Sequence, residues 1–448
     1  IPCSSSEYAQ TLCPIVMSHL RRTPAHLIWA AFAMGLIPFI TGSFHLYVAP
    51  IAWPGWAGWP KGLEISILDF LAIAVIGATR SPSTRLRQLW PWLAYLAAVI
   101  IALPHAGVKM AGFFYIWQLM RMILVAVAAM RLATYPGVAD WLFKGFFAGV
   151  AFQVFFAVSQ VAGGAEQAGG SFGAQNLLGI MAHFALFPAF AMLLAGNRSV
   201  WPIIGFASAA LVDLLTASRA TLGLAAIGLG LLSVLSIQKS FSTRKVIVIG
   251  IGLCLTAAAT PFALKSISDR QTGNSVESSD FQRNAMKQAA WMIIADYPLG
   301  TGPDQYVVIA NMGGYAARAG IAWQAGMRGT AVHNSYLLAW AETGLLGLFT
   351  MVLVLVWPVL SAWRASRRFR NEPQSELLLG IAVAGTVLIL HLNYEWAFVL
   401  FLFQYTFAMV SGVVIGLAAS FAAKKRAATR RAARSTPEVE ATVFSPAR

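Results

Sequence analysis

Residues 333–362 read HNSYLLAWAETGLLGLFTMVLVLVWPVLSA, and this run decides the fold class of the chain. Its apolar part is long enough to cross the roughly 30 Å hydrocarbon core of a bilayer as an α-helix. Lipid offers no hydrogen bonds to the backbone, so such a segment must pair its own amides and carbonyls. The run directly follows a long polar stretch at 266–332, which separates two blocks of almost uninterrupted apolar sequence.

The whole chain has the composition of a membrane protein. Its 448 residues are 58% hydrophobic and 11% charged, with a mean hydropathy of +0.67. Soluble domains carry about 25% charged residues. We therefore predict an all-α polytopic membrane protein with about 12 transmembrane helices. The predicted spans lie near 26–44, 63–79, 89–104, 111–133, 141–161, 176–195, 200–217, 219–237, 246–264, 333–362, 377–395 and 396–421.

These spans define the predicted domain organisation. A cytoplasmic leader at 1–25 precedes the first nine spans, which lie within 26–265. One large, partly helical loop follows at 266–332, then three more spans within 333–421 and a basic tail at 422–448. Residues 1–16 precede the first methionine, so we expect them to lie outside the natural start and exclude them from the fold.

The net charge of +15 is arranged along the chain in a way that indicates topology. With the N-terminus in the cytoplasm, most of the 32 Lys and Arg residues fall in cytoplasmic segments. The positive-inside rule then predicts that both termini are cytoplasmic and that the 266–332 loop is periplasmic. The basic tail after Ala423 favours contact with anionic membrane lipids over nucleic-acid binding.

Cysteines and carboxylates indicate which chemistries the chain does not use. Cys3, Cys13 and Cys254 all lie outside the 266–332 loop, and no Cys/His spacing typical of a metal site occurs. The first external loop, 45–62, contains three tryptophans, which we expect at the membrane interface, and no Asp or Glu. Enzymes that use a divalent metal need carboxylates near the reacting centre. We therefore predict neither a metal nor a cofactor.

Two positions at the external ends of predicted spans are candidate site residues. Arg219 either extends to the interface as a packing feature or clamps a phosphate group, with Asp213 and Glu342 as candidate partners. His333 either caps a helix end or acts on a substrate. The positive end of the helix dipole favours its neutral form, which can accept a proton.

The long loop adds two further cations. Asp280 is predicted to cap a helix near 281–296, which ends at Tyr297-Pro298-Leu299-Gly300. On that helix Arg283 and Lys287 are four residues apart and share a face, where an anion would relieve their mutual repulsion. The alternative is a solvated basic face. Together with Arg219 they can neutralise a pyrophosphate leaving group directly.

Other polar residues within or beside the spans keep a transporter in consideration. Glu64 and Asp69 are the kind of carboxylates that proton-coupled transport uses, although their spacing places them poorly on one helical face. Arg121 is predicted to pair internally as a structural residue. His391 is the only other histidine near the external face that rivals His333, whereas His183 is expected to pack within a span.

Ordered motifs between residues 170 and 350 resemble those of the O-antigen ligase and polymerase superfamily. Each motif is weak alone, but the ordered set is fairly specific. The motifs, in chain order, are GSFGAQNLLG at 170–179, SRAT at 218–221, Arg283 with Trp291 and PLGTG at 298–302, and His333-Asn334 with ETGLLG at 342–347.

The resemblance is strongest to the O-antigen ligases of lipopolysaccharide assembly, and it implies a GT-C-like fold with one large periplasmic loop in the bacterial inner membrane. Such enzymes transfer a glycan from undecaprenyl pyrophosphate to the core sugar of lipid A, without metal and with inversion. The resemblance implies that His333 positions or deprotonates the acceptor hydroxyl while Arg219 and Arg283 hold the pyrophosphate. The expected substrate-binding residues are Lys287, Asn334, Gln175, Asn176, Tyr336 and Arg328.

The same signatures occur in O-antigen polymerases and in protein O-oligosaccharyltransferases, so both remain alternatives. The oligosaccharyltransferases often carry more sequence after the last span than the short tail present here, which favours ligase or polymerase. A lipid-linked glycan transporter is a more distant alternative.

Overall fold

The computed structural model describes residues 23–79, 86–254 and 275–435, together with Pro261. This part of the chain is predominantly helical, and its one paired sheet consists of Tyr47–Val48 antiparallel to Ile65–Ser66. The helices are α1 Ala25–Phe44, α2 Ile67–Ala78, α3 Trp90–Ala102, α4 Lys109–Leu132, α5 Val138–Ala162, α6 Gln175–Leu194, α7 Trp201–Thr216, α8 Arg219–Lys239, α9 over residues 243–254, α10 Ser275–Asp296, α11 Tyr306–Met312, α12 Tyr315–Arg318, α13 Ala325–Arg328, α14 Ser335–Arg368, α15 Ser375–His391 and α16 Phe401–Ser435. Short 3-10 turns lie at Leu86–Leu89, Leu103–His105, Gly170–Phe172 and Ala397–Val399.

Eight helices within the described residues are long and apolar enough to cross a membrane. Three more apolar helices are shorter, namely α2, α7 and α15. These helices support the prediction of an all-α, multi-pass membrane protein, whereas the count of twelve spans stays a prediction. The predicted ninth span, 246–264, is described through residue 254, and most of the leader lies outside the described residues.

Close packing of the bundle depends on small residues where helices cross. A Cβ atom on Gly35 of α1 would lie 2.1 Å from the Leu142 carbonyl oxygen, and one on Gly145 of α5 would lie 2.2 Å from that of Phe32. Small residues of this kind let two membrane helices approach to backbone contact. Helix α6 is buried along nearly its whole length and forms the centre of the bundle.

A buried ion cluster explains the polar residues of α2 and α4. Arg121 is 3% exposed, its Nε donates to Asp69 Oδ2 at 2.9 Å, and its Nη1 lies 3.5 Å from Glu64 Oε2. The Tyr405 hydroxyl also donates to Asp69 Oδ1 at 2.8 Å. The predicted internal pairing of Arg121 is confirmed, and the two carboxylates that motivated the transporter alternative are both engaged by it.

The described part of the long loop, residues 275–332, has a small apolar core of its own against the first turns of α14. Helix α10 begins at Ser275, so Asp280 lies inside the helix instead of capping it as predicted. Buried Ala289, Ile293 and Tyr306 belong to this second core, together with Leu338 at the start of α14. The loop therefore attaches to the bundle through apolar contacts.

A kink in α14 provides the second attachment of the loop. Gly344 has φ 65° and ψ −172°, which interrupts the helix. There the Ala341 carbonyl accepts a hydrogen bond from the Thr301 amide, and the Glu342 carbonyl accepts one from the Gly302 amide, each at 2.9 Å. Gly300 adopts φ +89°, and a Cβ on it would lie 2.4 Å from the Glu342 carbonyl oxygen. The PLGTG motif is thus the segment that docks onto this kink.

The connection between α1 and α2 is fastened to the same region. Trp56 is buried, and its Nε1 donates to Asp304 Oδ2 at 2.7 Å, so it is not the interfacial residue predicted from the sequence. The Trp59 amide donates to Asp304 Oδ1 at 2.9 Å, and its ring lies 4.5 Å from that of Trp396. Burial raises the pKa of Asp304, and the neighbouring carboxylate of Glu342 raises it further. Asp304 therefore joins the connection between α1 and α2 to the long loop.

Candidate active site

An open cleft of about 570 Å³ lies where α6, α8, α10 and the turn after α15 meet. Four of the residues predicted from the sequence line it: Gln175, Asn176, Arg219 and Arg283. The other lining residues are Gln167, Ser218, Ala220, Gly223, Leu224, Ile227, Asp280, Tyr394 and Glu395. Most of its charged and amide side chains thus come from segments far apart in sequence.

Arg219 stands at the first position of α8. Ser218 caps this helix, accepting a hydrogen bond from the Thr221 amide, and this fixes the start of the helix at the edge of the cleft. Nη2 of Arg219 lies 3.2 Å from Asp280 Oδ2, and the two side chains are 49% and 54% exposed. Such an exposed pair contributes about 0–1 kcal/mol, so a phosphate can readily replace the carboxylate. The candidate partners Asp213 and Glu342 are wrong, because both are buried elsewhere.

Glu395 is the centre of the site, although it is not among the residues predicted from the sequence. It is 7% exposed. Its Oε1 accepts a hydrogen bond from Asn176 Nδ2 at 2.5 Å and lies 3.5 Å from Arg283 Nη2. Its Oε2 lies 3.3 Å from His333 Nδ1. One carboxylate thus connects α6, α10 and the residue pair that precedes α14.

The contact with Glu395 determines which nitrogen of His333 is available for chemistry. A carboxylate only accepts hydrogen bonds, so in the neutral form of the ring the proton lies on Nδ1 and Nε2 carries the lone pair. The side chain of His333 is 22% exposed, which leaves it accessible to a substrate. This is the arrangement of a histidine base oriented by a carboxylate.

Backbone contacts hold the histidine and the carboxylate together. The Ser335 hydroxyl donates to the Glu395 carbonyl at 2.7 Å, and the Ser335 amide lies 3.0 Å from the same oxygen. The Asn334 side chain caps α14, accepting hydrogen bonds from the Tyr336 and Leu337 amides, and it donates to the Asn393 carbonyl at 3.2 Å. The start of α14 is therefore bound to the turn that carries Glu395.

The cleft is not lined by the other residues predicted from the sequence, namely His333, Asn334, Tyr336, Lys287 and Arg328. The Tyr336 hydroxyl donates to the Ile389 carbonyl at 2.7 Å. Lys287 is half-buried one turn beyond Arg283 on α10. Arg328 donates twice to the Ile321 carbonyl, at 3.2 and 2.8 Å, and its guanidinium lies 4.6 Å from the centre of the Trp323 ring. Tyr336 and Arg328 thus make local contacts outside the cleft, and Lys287 shares the face of α10 that carries Arg283.

His391 is not accessible to a substrate. It is fully buried, with its ring 5.8 Å from that of His183, which in turn lies 3.4 Å from Asp213. None of these three residues lines the cleft, and the two histidines pack inside the bundle. Of the two rival histidines, only His333 contacts a residue of the cleft.

Sequence reasoning missed Glu395 for a physical reason. Its importance depends on a turn that folds back onto Ser335 across 60 residues of chain. The available signal was that Glu395 is the only carboxylate in the connection between α15 and α16. A lone acid beside the membrane, facing the same side as His333 and Arg283, is a candidate partner for both.

Residues 183–352 match the family described as O-antigen ligase. This stretch begins inside α6, includes Arg219, Arg283 and His333, and ends in α14 beyond the kink; Glu395 lies outside it. Among curated proteins, none matches the chain. The family match, together with the ordered motifs and the cleft they form, supports membership of this chain in the O-antigen ligase and polymerase superfamily.

Proposed function

We propose that this protein is an O-antigen ligase of lipopolysaccharide assembly. It transfers a glycan from undecaprenyl pyrophosphate to the core sugar of lipid A as a metal-independent, inverting glycosyltransferase. The reaction takes place at the periplasmic face of the bacterial inner membrane, with both termini of the chain in the cytoplasm. The observation that carries the proposal is Glu395, which connects His333 to Arg283 in the cleft that also holds Arg219.

The cations of the cleft suit the binding of a pyrophosphate. Without substrate, Arg219 faces Asp280 and Arg283 faces Glu395, so each guanidinium already has a carboxylate within 3.5 Å. A pyrophosphate presents the same kind of oxygen at higher charge, and planar guanidinium groups bind phosphate oxygens in pairs. The pyrophosphate of the donor can therefore replace Asp280 and Glu395 as the partner of the two arginines. Lys287 adds positive potential from the same helix face.

The chemical step forms one bond and breaks one. The acceptor hydroxyl oxygen attacks the anomeric carbon from the side opposite the pyrophosphate, and the carbon–oxygen bond to the leaving group breaks with inversion. Nε2 of His333 takes the hydroxyl proton, and the lipid pyrophosphate departs with the bonding electrons. Because the leaving group is already good, the site needs positioning and charge neutralisation more than a covalent nucleophile.

Both substrates are lipids, which suits a cleft at the end of a helical bundle. The family as a whole acts on lipid-linked glycans, and the choice of lipid A-core as acceptor is part of the proposal. Glu64 and Asp69 support an enzyme over a transporter, because both carboxylates are engaged by Arg121 inside the bundle.

The test is transfer in vitro by the purified full chain, with a lipid-pyrophosphate-linked glycan as donor and EDTA present. Three acceptors are offered separately: lipid A-core, a second donor molecule and a serine-rich acceptor protein. We expect a product only when lipid A-core is the acceptor. Product with the second donor would identify a polymerase, product with the protein an O-oligosaccharyltransferase, and loss of activity in EDTA with rescue by magnesium would contradict the metal-independent step.

The matched variants in this assay are His333→Ala and His105→Ala. His333→Ala should lower turnover by roughly 10²–10⁴-fold, the usual effect of a lost general base, without loss of donor binding. His105 is exposed in the turn before α4 and does not line the cleft, so its removal should leave turnover unchanged. Near-normal turnover of His333→Ala would remove the proposed base.

A further inference from the structure

A second cleft, of about 560 Å³, lies at the other end of α14. It is lined by the last residues of α14 and by one face of α16. The lining residues are Arg368, Phe369, Ala422, Lys425, Arg426, Thr429 and Arg430. We call it the basic cleft. Four of its seven lining residues are cations, and none is a carboxylate.

The basic cleft and the candidate active site lie at opposite ends of the bundle. Helix α14 has 34 residues, beginning at Ser335 beside His333 and ending at Arg368. From the kink at Gly344 to Arg368, a rise of 1.5 Å per residue gives a length of roughly 36 Å, still more than the thickness of a bilayer's hydrocarbon core. The basic cleft therefore faces the leaflet opposite the candidate active site.

Apolar contacts place the basic cleft at the level of lipid headgroups. The rings of Phe369 and Phe421 meet at 5.6 Å and close its apolar side. Beyond Phe421, α16 becomes basic and exposed. Two turns before Arg368, Leu360 is still 40% exposed, as expected of a side chain that faces lipid. The cations therefore begin where the two helices leave the hydrocarbon.

Among the residues that the structure describes, no carboxylate lines the basic cleft. Glu372 pairs with Lys424 at 3.1 Å, and Lys424 is not a lining residue. Arg426 and Arg430 are four residues apart on one face of α16, a spacing at which like charges repel. The helix dipole favours Arg368 in the last turn of α14, but Arg426 and Arg430 precede the last turn of α16, so the dipole does not account for their position beside Arg368.

We propose that the basic cleft binds the phosphates of an anionic phospholipid headgroup, and that its preferred ligand is the diphosphate headgroup of cardiolipin. Two phosphates match the four cations better than one, and basic pockets between membrane helices are suited to such headgroups. The acyl chains would then lie along the apolar surface near Leu360. This inference does not depend on the reaction catalysed at the other end of the bundle.

The experiment uses the full chain in phosphatidylcholine nanodiscs that contain a small fraction of cardiolipin or phosphatidylglycerol. Bound lipid is measured by native mass spectrometry, with inorganic pyrophosphate as the soluble competitor. The wild-type protein should retain more bound cardiolipin than phosphatidylglycerol, and pyrophosphate should not displace the cardiolipin. Displacement by pyrophosphate at similar concentration would identify a soluble phosphate as the ligand and overturn the lipid assignment.

Two triple variants distinguish specific lipid binding in the basic cleft from general electrostatic attraction to an anionic surface. Arg368→Gln/Arg426→Gln/Arg430→Gln removes three cations of the basic cleft, and affinity should fall by about 100-fold, given the usual effect of a basic residue near an anionic leaflet. Arg364→Gln/Arg367→Gln/Arg370→Gln removes as many exposed cations from the same end of α14, none of which lines the cleft. Its affinity should change less than about 5-fold.

Equal losses in the two triple variants would overturn the proposal, because diffuse attraction would then explain the binding. All six arginines are exposed, so we expect both variants to fold. Thermal unfolding in phosphatidylcholine alone checks this. Arg426→Gln and Arg430→Gln provide the same test as single changes, each expected to weaken binding by about 5-fold, and wild-type affinity in both would equally overturn the proposal.

Discussion

At the scale of single residues, Glu395 connects the two halves of the proposed chemistry. It orients the ring of His333 through Oε2 and faces Arg283 through Oε1. The same carboxylate thus supports the base and holds a cation that the donor would need. Donor binding would turn Arg283 toward the pyrophosphate and leave Glu395 to His333 and Asn176.

The first residue-scale prediction concerns Glu395→Gln. The amide keeps the size of the side chain but loses the charge that holds the His333 tautomer, so turnover should fall by roughly 10²-fold or more, with donor binding little changed. The matched control is Glu166→Gln, an exposed acid in the connection between α5 and α6, which should behave like wild type. Turnover and donor affinity measured separately check this; a change confined to donor affinity would count against an orienting role.

The second residue-scale prediction concerns the two arginines of the cleft. Arg219→Ala and Arg283→Ala should each lower turnover by roughly 10²–10³-fold and weaken donor binding, because each removes a cation that stabilises the leaving pyrophosphate. Lysine should rescue poorly at both positions, since it lacks the planar fork. Arg318, stacked 4.4 Å from the Tyr315 ring and outside the cleft, is the matched control. Full rescue by lysine would show that only the positive charge of the arginines is needed, and not their planar guanidinium group.

At the scale of elements, the docking of the PLGTG segment on the α14 kink determines the position of the loop relative to the bundle. Gly300 and Gly344 both have positive φ. Each lies in close contact with the backbone of the segment that contains the other. The two loop amides that bond to Ala341 and Glu342 fix this contact. The loop core around Ile293 and Tyr306 then carries Arg283 over the cleft.

The element-scale prediction compares two glycines with the same backbone requirement. Gly300→Ala should destabilise the protein by more than Gly314→Ala, because both have positive φ but only Gly300 faces backbone atoms within van der Waals reach. The left-handed conformation alone costs about 1–2 kcal/mol for a residue with a Cβ. Melting temperature and limited proteolysis of the loop measure the difference. Equal effects of the two changes would show that docking on the kink contributes little.

The sequence predicted helices well and their contacts poorly, for physical reasons. Apolar runs such as 176–195 specify a helix by themselves, and α6 spans Gln175–Leu194. Asp280 has the chemistry of a helix cap, yet α10 begins before it, and the carboxylate faces Arg219 instead. Trp56 has the composition of an interfacial residue, but its partner Asp304 is 248 residues away. Such long-range pairs leave no periodic signal in the chain.

At the scale of the whole molecule, charge distribution orients the bundle. The site lies at the end of α14 where the loop folds, and the cluster of arginines lies at its other end. The positive-inside rule predicts that the basic end is cytoplasmic and that the site is periplasmic. Under the proposed function, this orientation would give the site access to a donor and an acceptor in the outer leaflet of the inner membrane.

The whole-molecule prediction is a labelling pattern in intact cells. In a background without native cysteines, Met312→Cys should react with a membrane-impermeant maleimide, because Met312 is 85% exposed on the loop. Arg367→Cys, exposed near the end of α14, should react only after permeabilisation. Labelling of intact spheroplasts and of inverted vesicles measures both. The reverse pattern would place the site in the cytoplasm and contradict the proposed donor.

The mutual contact of Gly300 and Gly344 also has a consequence for engineering chimeras. A Cβ on Gly300 would lie 2.7 Å from the Gly344 amide nitrogen, and one on Gly344 would lie 2.9 Å from the Leu299 carbonyl oxygen. A side chain at either position would clash unless the backbone at the other position moved. A loop transplanted from another enzyme to change glycan preference must therefore bring along the turn at 341–347 that receives it, as one interchangeable cassette.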